Sequence, residues 1–199
     1  MNMGRFAHLI AMVGALALAQ GSIAAPKPAD ASAKPAASGE TKAFGDWSVR
    51  CSSADSAAPC EMIEIRVAKK TGQRVLAVQL VYVPARDATI MIVAVPLGVA
   101  LQNGVVLATD TFTSPVMHFV RCDTQGCYAQ LMVPADTIGA LGRATKAQIQ
   151  IVFVDGRKIN LPFSLDGFTG AHSALVDLAK AKAIKPAADA APADQAPAQ

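Results

Sequence analysis

Ile159, Leu161, Phe163 and Leu165 alternate with Lys158, Asn160, Pro162 and Ser164. A bulky apolar residue at every second position gives an extended strand one apolar face. It gives a helix none, because the helical period is 3.6. The pattern recurs. Ile63, Ile65 and Val67 alternate with Met62, Glu64 and Arg66, and Ile149, Ile151 and Phe153 keep the same spacing. Such runs mark strands that bury their apolar face. Residues 75–83 and 90–95 are apolar at nearly every position. They read as central strands covered on both sides, or as strands that meet a partner.

The punctuation between these runs agrees. Asp155-Gly156 separates two alternating stretches, the strongest short signal for a hairpin. Gly72 and Gly104 sit where turns need a positive φ, and Pro84, Pro96 and Pro134 end strands rather than interrupt them. Strands recur every ten to twelve residues or so, the spacing of a sandwich or barrel. One helix is expected near the end. Thr169 is its candidate cap, and Ala171, Ala174, Leu175 and Leu178 share a face. Residues 135–141 predict a shorter helical turn. The expected fold is mainly β: an antiparallel β-sandwich or barrel-like domain with a C-terminal helix.

Both ends differ from this middle. Arg5 precedes an apolar run over residues 9–19, and Ser22 and Ala24 are small residues at signal-peptidase positions. This pattern predicts a cleaved signal peptide over residues 1–24. Eleven apolar residues fall short of the ~20 needed to span a bilayer. Residues 25–41 and 184–199 are rich in Ala, Pro and Lys or Asp and lack the bulky side chains of a core, so they read as disordered linker and tail. The domain is expected over residues 42–183. Their alanines also inflate the 52% hydrophobic content of the chain. Without Arg5, Lys plus Arg falls from 18 to 17 against 15 acids, a net charge of +2. That balance is too weak for nucleic-acid binding.

Export sets the chemistry expected of the four cysteines, Cys51, Cys60, Cys122 and Cys127. An even count outside the cytosol favours disulfides, and four cysteines allow three connectivities. Geometry favours the local pairs. Asp123-Thr-Gln-Gly126 would join two strands and set Cys122 opposite Cys127, and Ser52–Pro59 would do the same for Cys51 and Cys60. Directly opposed strand residues lie about 4.5–5.5 Å apart at Cα, within reach of a disulfide. Zinc pairs usually sit two to four residues apart; Cys122 and Cys127 only just fit that window, and Cys51 and Cys60 do not. A Cys-x-x-Cys redox motif is absent.

Several short motifs then line up in order: Phe44-Gly-Asp-Trp47, Pro96-Leu-Gly-Val99, Cys122-x3-Gly126-Cys127-x-Ala129, and Ser164-Leu-Asp-Gly-Phe168 ahead of the helix. Together they resemble the invasion-associated locus B family of exported proteins from Gram-negative bacteria, over about residues 44–178. The resemblance implies a small, β-rich periplasmic or surface-exposed protein. In host-associated bacteria the family is linked with invasion of host cells. It transfers no catalytic residue.

The residues themselves announce no chemistry. His118 and His172, the histidines left after cleavage, have no acid or nucleophile at an informative spacing, and no Gly-x-Ser-x-Gly, His-Glu-x-x-His or phosphate loop is present. Adjacent Met117 and His118 point to opposite sides of a strand and are poorly placed to chelate one copper ion; Met62 and Met132 read as packing residues. No cofactor is expected. Trp47, the sole tryptophan, is either a core anchor or an interface contact. Ile90 and Ile92 are candidate contacts for a partner or homodimer, unless the helix buries them. The leading expectation is an exported, non-enzymatic domain that binds an envelope or other protein partner. The alternatives are a small periplasmic enzyme and a metal- or ligand-binding module.

Overall fold

A computed structural model of the chain describes residues 41–52 and 56–184. The expected signal peptide, linker and tail lie outside the described residues, apart from Thr41 and Ile184 at their inner ends. Ten strands and two helices run in the order β1 (Lys42–Phe44), β2 (Trp47–Cys51), β3 (Cys60–Val67), β4 (Arg74–Val83), β5 (Ala88–Val95), β6 (Val106–Thr109), β7 (Phe119–Asp123), β8 (Gly126–Val133), α1 (Ala135–Arg143), β9 (Ala147–Val152), β10 (Lys158–Phe163) and α2 (Phe168–Ile184). The first sheet has the order β1-β2-β3-β4-β5-β8-β7 and the second β10-β9-β6. Every pairing is antiparallel.

The expected turns form. Asp155-Gly156 closes the β9–β10 hairpin, with Gly156 at φ +85°. Pro84, Pro96 and Pro134 each follow the last residue of a strand. Helix α2 starts two residues earlier than a Thr169 cap implies, at Phe168, so Thr169 lies inside it. Its buried face is Ala171, Leu175 and Ala179, with Ala174 and Leu178 partly covered.

Register decides what each strand buries. Residues opposed across an antiparallel ladder project from the same face. Val49, Met62, Leu80, Met91 and Leu131 are opposed in one row across five strands, and the first four are fully buried. This inner face is roofed by α2, over β1 to β4, and by the small sheet through β10. Leu107, Ile149 and Leu161 line the facing side of that small sheet. One apolar cluster joins all three layers.

Two expectations fail on the same ladder. Ile65 and Val67 are 52% and 55% exposed, while Met62 and Glu64 of β3 point into the core. The period of β3 was right and its face was not. β2 turns Trp47 and Val49 inward, so the opposed Met62 must follow, and its odd-numbered neighbours turn outward. Met132, expected to fill packing space, is 59% exposed because its row, Val81–Ile90–Met132, lies on the outer face. Residues 75–83 and 90–95 do form the central strands β4 and β5, but helix and small sheet cover only one side of them.

The edges of the large sheet are short. β1 has three residues and begins with Lys42; β7 has five and carries Arg121 and Asp123. Arg121 lies 3.7 Å from the centre of the Tyr128 ring on β8.

Candidate interaction face

Both cysteine pairs are bridged as the hairpin geometry favoured. Cys51–Cys60 and Cys122–Cys127 are disulfides with Cα atoms 4.0 Å apart, and no described cysteine is free. The partners are directly opposed on their ladders. Gly126 permits the second bridge. Its φ is +140°, and any Cβ there would run into the carbonyl oxygen of Val95 on β5. Only glycine lets the start of β8 approach β5 so closely.

Trp47, a candidate contact, is fully buried. Its indole N–H donates to the Ser164 carbonyl at 3.0 Å, and its ring meets Phe168 and Phe163 edge-on at 5.4 and 6.4 Å. The core-anchor reading holds and the contact reading does not, because no part of the ring reaches the surface. The same neighbourhood shows what joins Phe44-Gly-Asp-Trp47 to Ser164-Leu-Asp-Gly-Phe168. The Asp46 N–H donates to the Asp166 carbonyl at 3.3 Å. Gly45 (φ +55°) lies against Asp166, where a Cβ would come within 2.7 Å of the carbonyl oxygen. These two segments, far apart in sequence, form one interlocked corner.

Glu64 lies beneath that corner, 2% exposed. It pairs with Arg66, and the Ser164 N–H reaches Oε1 at 3.5 Å, but Oε2 has no partner. Burial raises its pKa against the opposing pull of Arg66. Nothing in the alternating pattern pointed to this acid as a core residue.

Ile90 and Ile92 are partly exposed on the outer face of the large sheet. Helix α2 lies on the opposite side, so the helix does not cover them. They share this face with Ile63, Ile65, Val81 and Met132, which sequence reasoning left in the core or overlooked. A usable signal was present: a bridge between β2 and β3 puts Cys60 on the face of Trp47, Val49 and Cys51. Counting by twos from Cys60 then assigns every β3 side chain. Polar groups stand within these rows as well: Gln79 and Gln130 flank Ile92, and Glu61 is opposed to Val81. Glu61 accepts hydrogen bonds from Arg50 and from the Gln79 amide, which holds both donors along the sheet.

The two histidines stay apart. His118 is exposed just before β7. His172 is half-buried on α2, hydrogen-bonded to Thr89 Oγ1 at 3.2 Å and stacked on Phe168, and burial lowers its pKa. A cavity of about 230 Å³ beside His172 has no carboxylate in its wall. Met62, Met91 and Met117 are buried in the apolar cluster, and Met132 stands exposed on the opposite face of the sheet. Among the described residues no three His, Cys, Asp or Glu side chains gather as a metal would require, and no helix is long and apolar enough to cross a membrane.

A family model described as Invasion associated locus B (IalB) protein matches residues 47–176. An invasion protein B homolog of Brucella abortus (strain 2308) is 29% identical over 138 residues, which make up 69% of this chain and 79% of the relative. Invasion protein B of Bartonella bacilliformis is 28% identical over 161 residues, 79% of this chain and 86% of the relative. The crystal structure of invasion associated protein B from Bartonella henselae shares the fold, with a TM-score of 0.62 at 21% identity, over 70% of this chain and 97% of that one.

Proposed function

From the premise that the chain belongs to the invasion associated locus B family, we propose that it is an exported envelope protein that works by binding a protein partner rather than by catalysis. The outer face of the large sheet, centred on Ile90 and Ile92, is the binding surface. One observation carries the reading: a sheet face with Ile65 and Met132 more than half exposed and no described element over it. Apolar surface of this kind is a common mark of association sites on soluble domains. The two disulfides fit an oxidising compartment, and residues 1–24 supply the export signal. Where this protein meets a host cell, the partner is part of invasion, as the names of the relatives imply for them.

Crosslinking in intact envelopes tests this. Ile92→Lys and Met132→Lys place charge on the outer face without entering the core. Variants that keep the wild-type melting temperature but lose the crosslinked species support the reading. An unchanged crosslinking pattern in both overturns it. Equilibrium sedimentation of the purified chain separates a second copy from a different protein as the partner.

A further inference from the structure

Helix α1 contains two glycines, Gly139 and Gly142, in only nine residues. Glycine in a helix interior costs roughly 1 kcal/mol relative to alanine, and here both line the 230 Å³ cavity between the end of α1 and the start of α2. The missing side chains help leave the space open. Its walls combine two kinds of surface. Ile138, Phe168 and the flat ring of His172 are apolar or aromatic, and the His172 ring lies nearly parallel to Phe168, at 16° with centres 6.3 Å apart. Arg143 and the Thr169 hydroxyl supply the polar part. The Arg143 guanidinium, exposed at the rim, has no hydrogen bond or ion pair with any described residue. His172 Nε2 is already engaged by Thr89, which fixes the ring as a wall. The cavity therefore has an oriented apolar floor and one uncommitted cation, with no acid to neutralise it.

We propose that this cavity is a binding site for a small organic monocarboxylate with an aromatic or short aliphatic body. The body lies on Ile138 and the His172 ring, which Phe168 backs from the core, and the carboxylate meets the Arg143 guanidinium, which suits it as a fork of donors. The volume is below the ~300 Å³ at which drug-sized pockets begin, so a single ring or a chain of a few carbons is the fitting size. The site lies on the inner side of the large sheet, away from Ile90 and Ile92, and does not depend on the proposed binding face.

The test titrates the oxidised chain with sodium benzoate and sodium hexanoate and follows backbone amide chemical shifts by NMR. The neutral analogues benzamide and hexanol are the controls. Saturable shifts centred on Arg143, Thr169 and His172 are expected for the two acids, with binding at least about tenfold weaker for the neutral analogues, the usual effect of losing one charge-assisted contact. Arg143→Gln weakens acid binding by a similar factor. Gly139→Leu fills the cavity from a position with helical backbone, where a new Cβ meets only the movable end of Arg143, and it abolishes the shifts while the protein stays folded. No saturable shift with either acid, equal binding of acid and neutral analogue, or full binding by folded Gly139→Leu would each overturn the proposal.

Discussion

At one end of the large sheet, Cys51–Cys60 ties β2 to β3, strands that have neighbours on both sides and lie under α2. At the other, Cys122–Cys127 ties β7, which has a neighbour only in β8 and keeps four of its five residues exposed. The first bond joins a region already held by the Trp47 corner, where aromatic packing, an indole hydrogen bond and Glu64 converge. The second holds a strand that buries almost nothing of its own. The entropy argument gives both bonds similar weight, about 2–3 kcal/mol for loops of this length. The surroundings differ in what would let go if either bond were cut. An edge strand with little buried area opens locally, at a cost below that of global unfolding. A strand within the packed corner separates only when the domain does.

Trp47→Ala is the harshest test of this contrast. It removes the largest buried ring and leaves the Ser164 carbonyl without its donor, so a loss of about 3–5 kcal/mol is expected in denaturant unfolding followed by circular dichroism. A smaller loss than that from cutting either disulfide would mean that the corner is not held by packing. Next comes Cys51→Ala with Cys60→Ala, expected to cost about 2–3 kcal/mol of global stability. The matching pair, Cys122→Ala with Cys127→Ala, should move the global midpoint less and instead speed hydrogen exchange at β7 amides, on the order of tenfold or more. Equal global losses with no local change at β7 would erase the distinction.

The smallest effect is electrostatic and belongs to the packed end. Burial raises the Glu64 pKa above its ordinary value of 4.5. The folded state therefore holds that proton more tightly than the unfolded chain. Its contribution to stability is full below pH 4.5 and falls as pH rises through the raised pKa. Glu64→Gln should flatten stability against pH in that window. A wild-type slope in the variant would assign the titration to another group.

Much of this was legible in the chain. Turn glycines, strand-ending prolines and alternation placed the strands, and hairpin geometry paired the cysteines. Facing was harder. Alternation gives a period and leaves its phase open, so Ile63, Ile65 and Val67 read as core when they lie on the outer face, Ile63 half-covered and the other two exposed. The phase is set by the partner strand, through Val49 opposite Met62. Composition misled in the same place, because a carboxylate rarely enters a core unless paired, and Arg66 on the same strand supplies that pairing for Glu64. For Trp47 the sequence left open whether the ring anchors or contacts. Ser164, 117 residues away, resolves it. The 230 Å³ cavity had no signal beyond two glycines in a short helix, since its walls come from separate segments.

The short, charged margins of the large sheet have a consequence for how copies of this protein can meet. Strand-to-strand polymerisation requires a long ladder of free amide and carbonyl groups, and β1 and β7 offer few rungs between them. Growth of fibrils from either rim is therefore poorly templated, even though the broad side of the sheet exposes Ile65 and Met132. A molecule built this way can stay sticky enough to recognise another surface while remaining resistant to recruiting its own kind end over end.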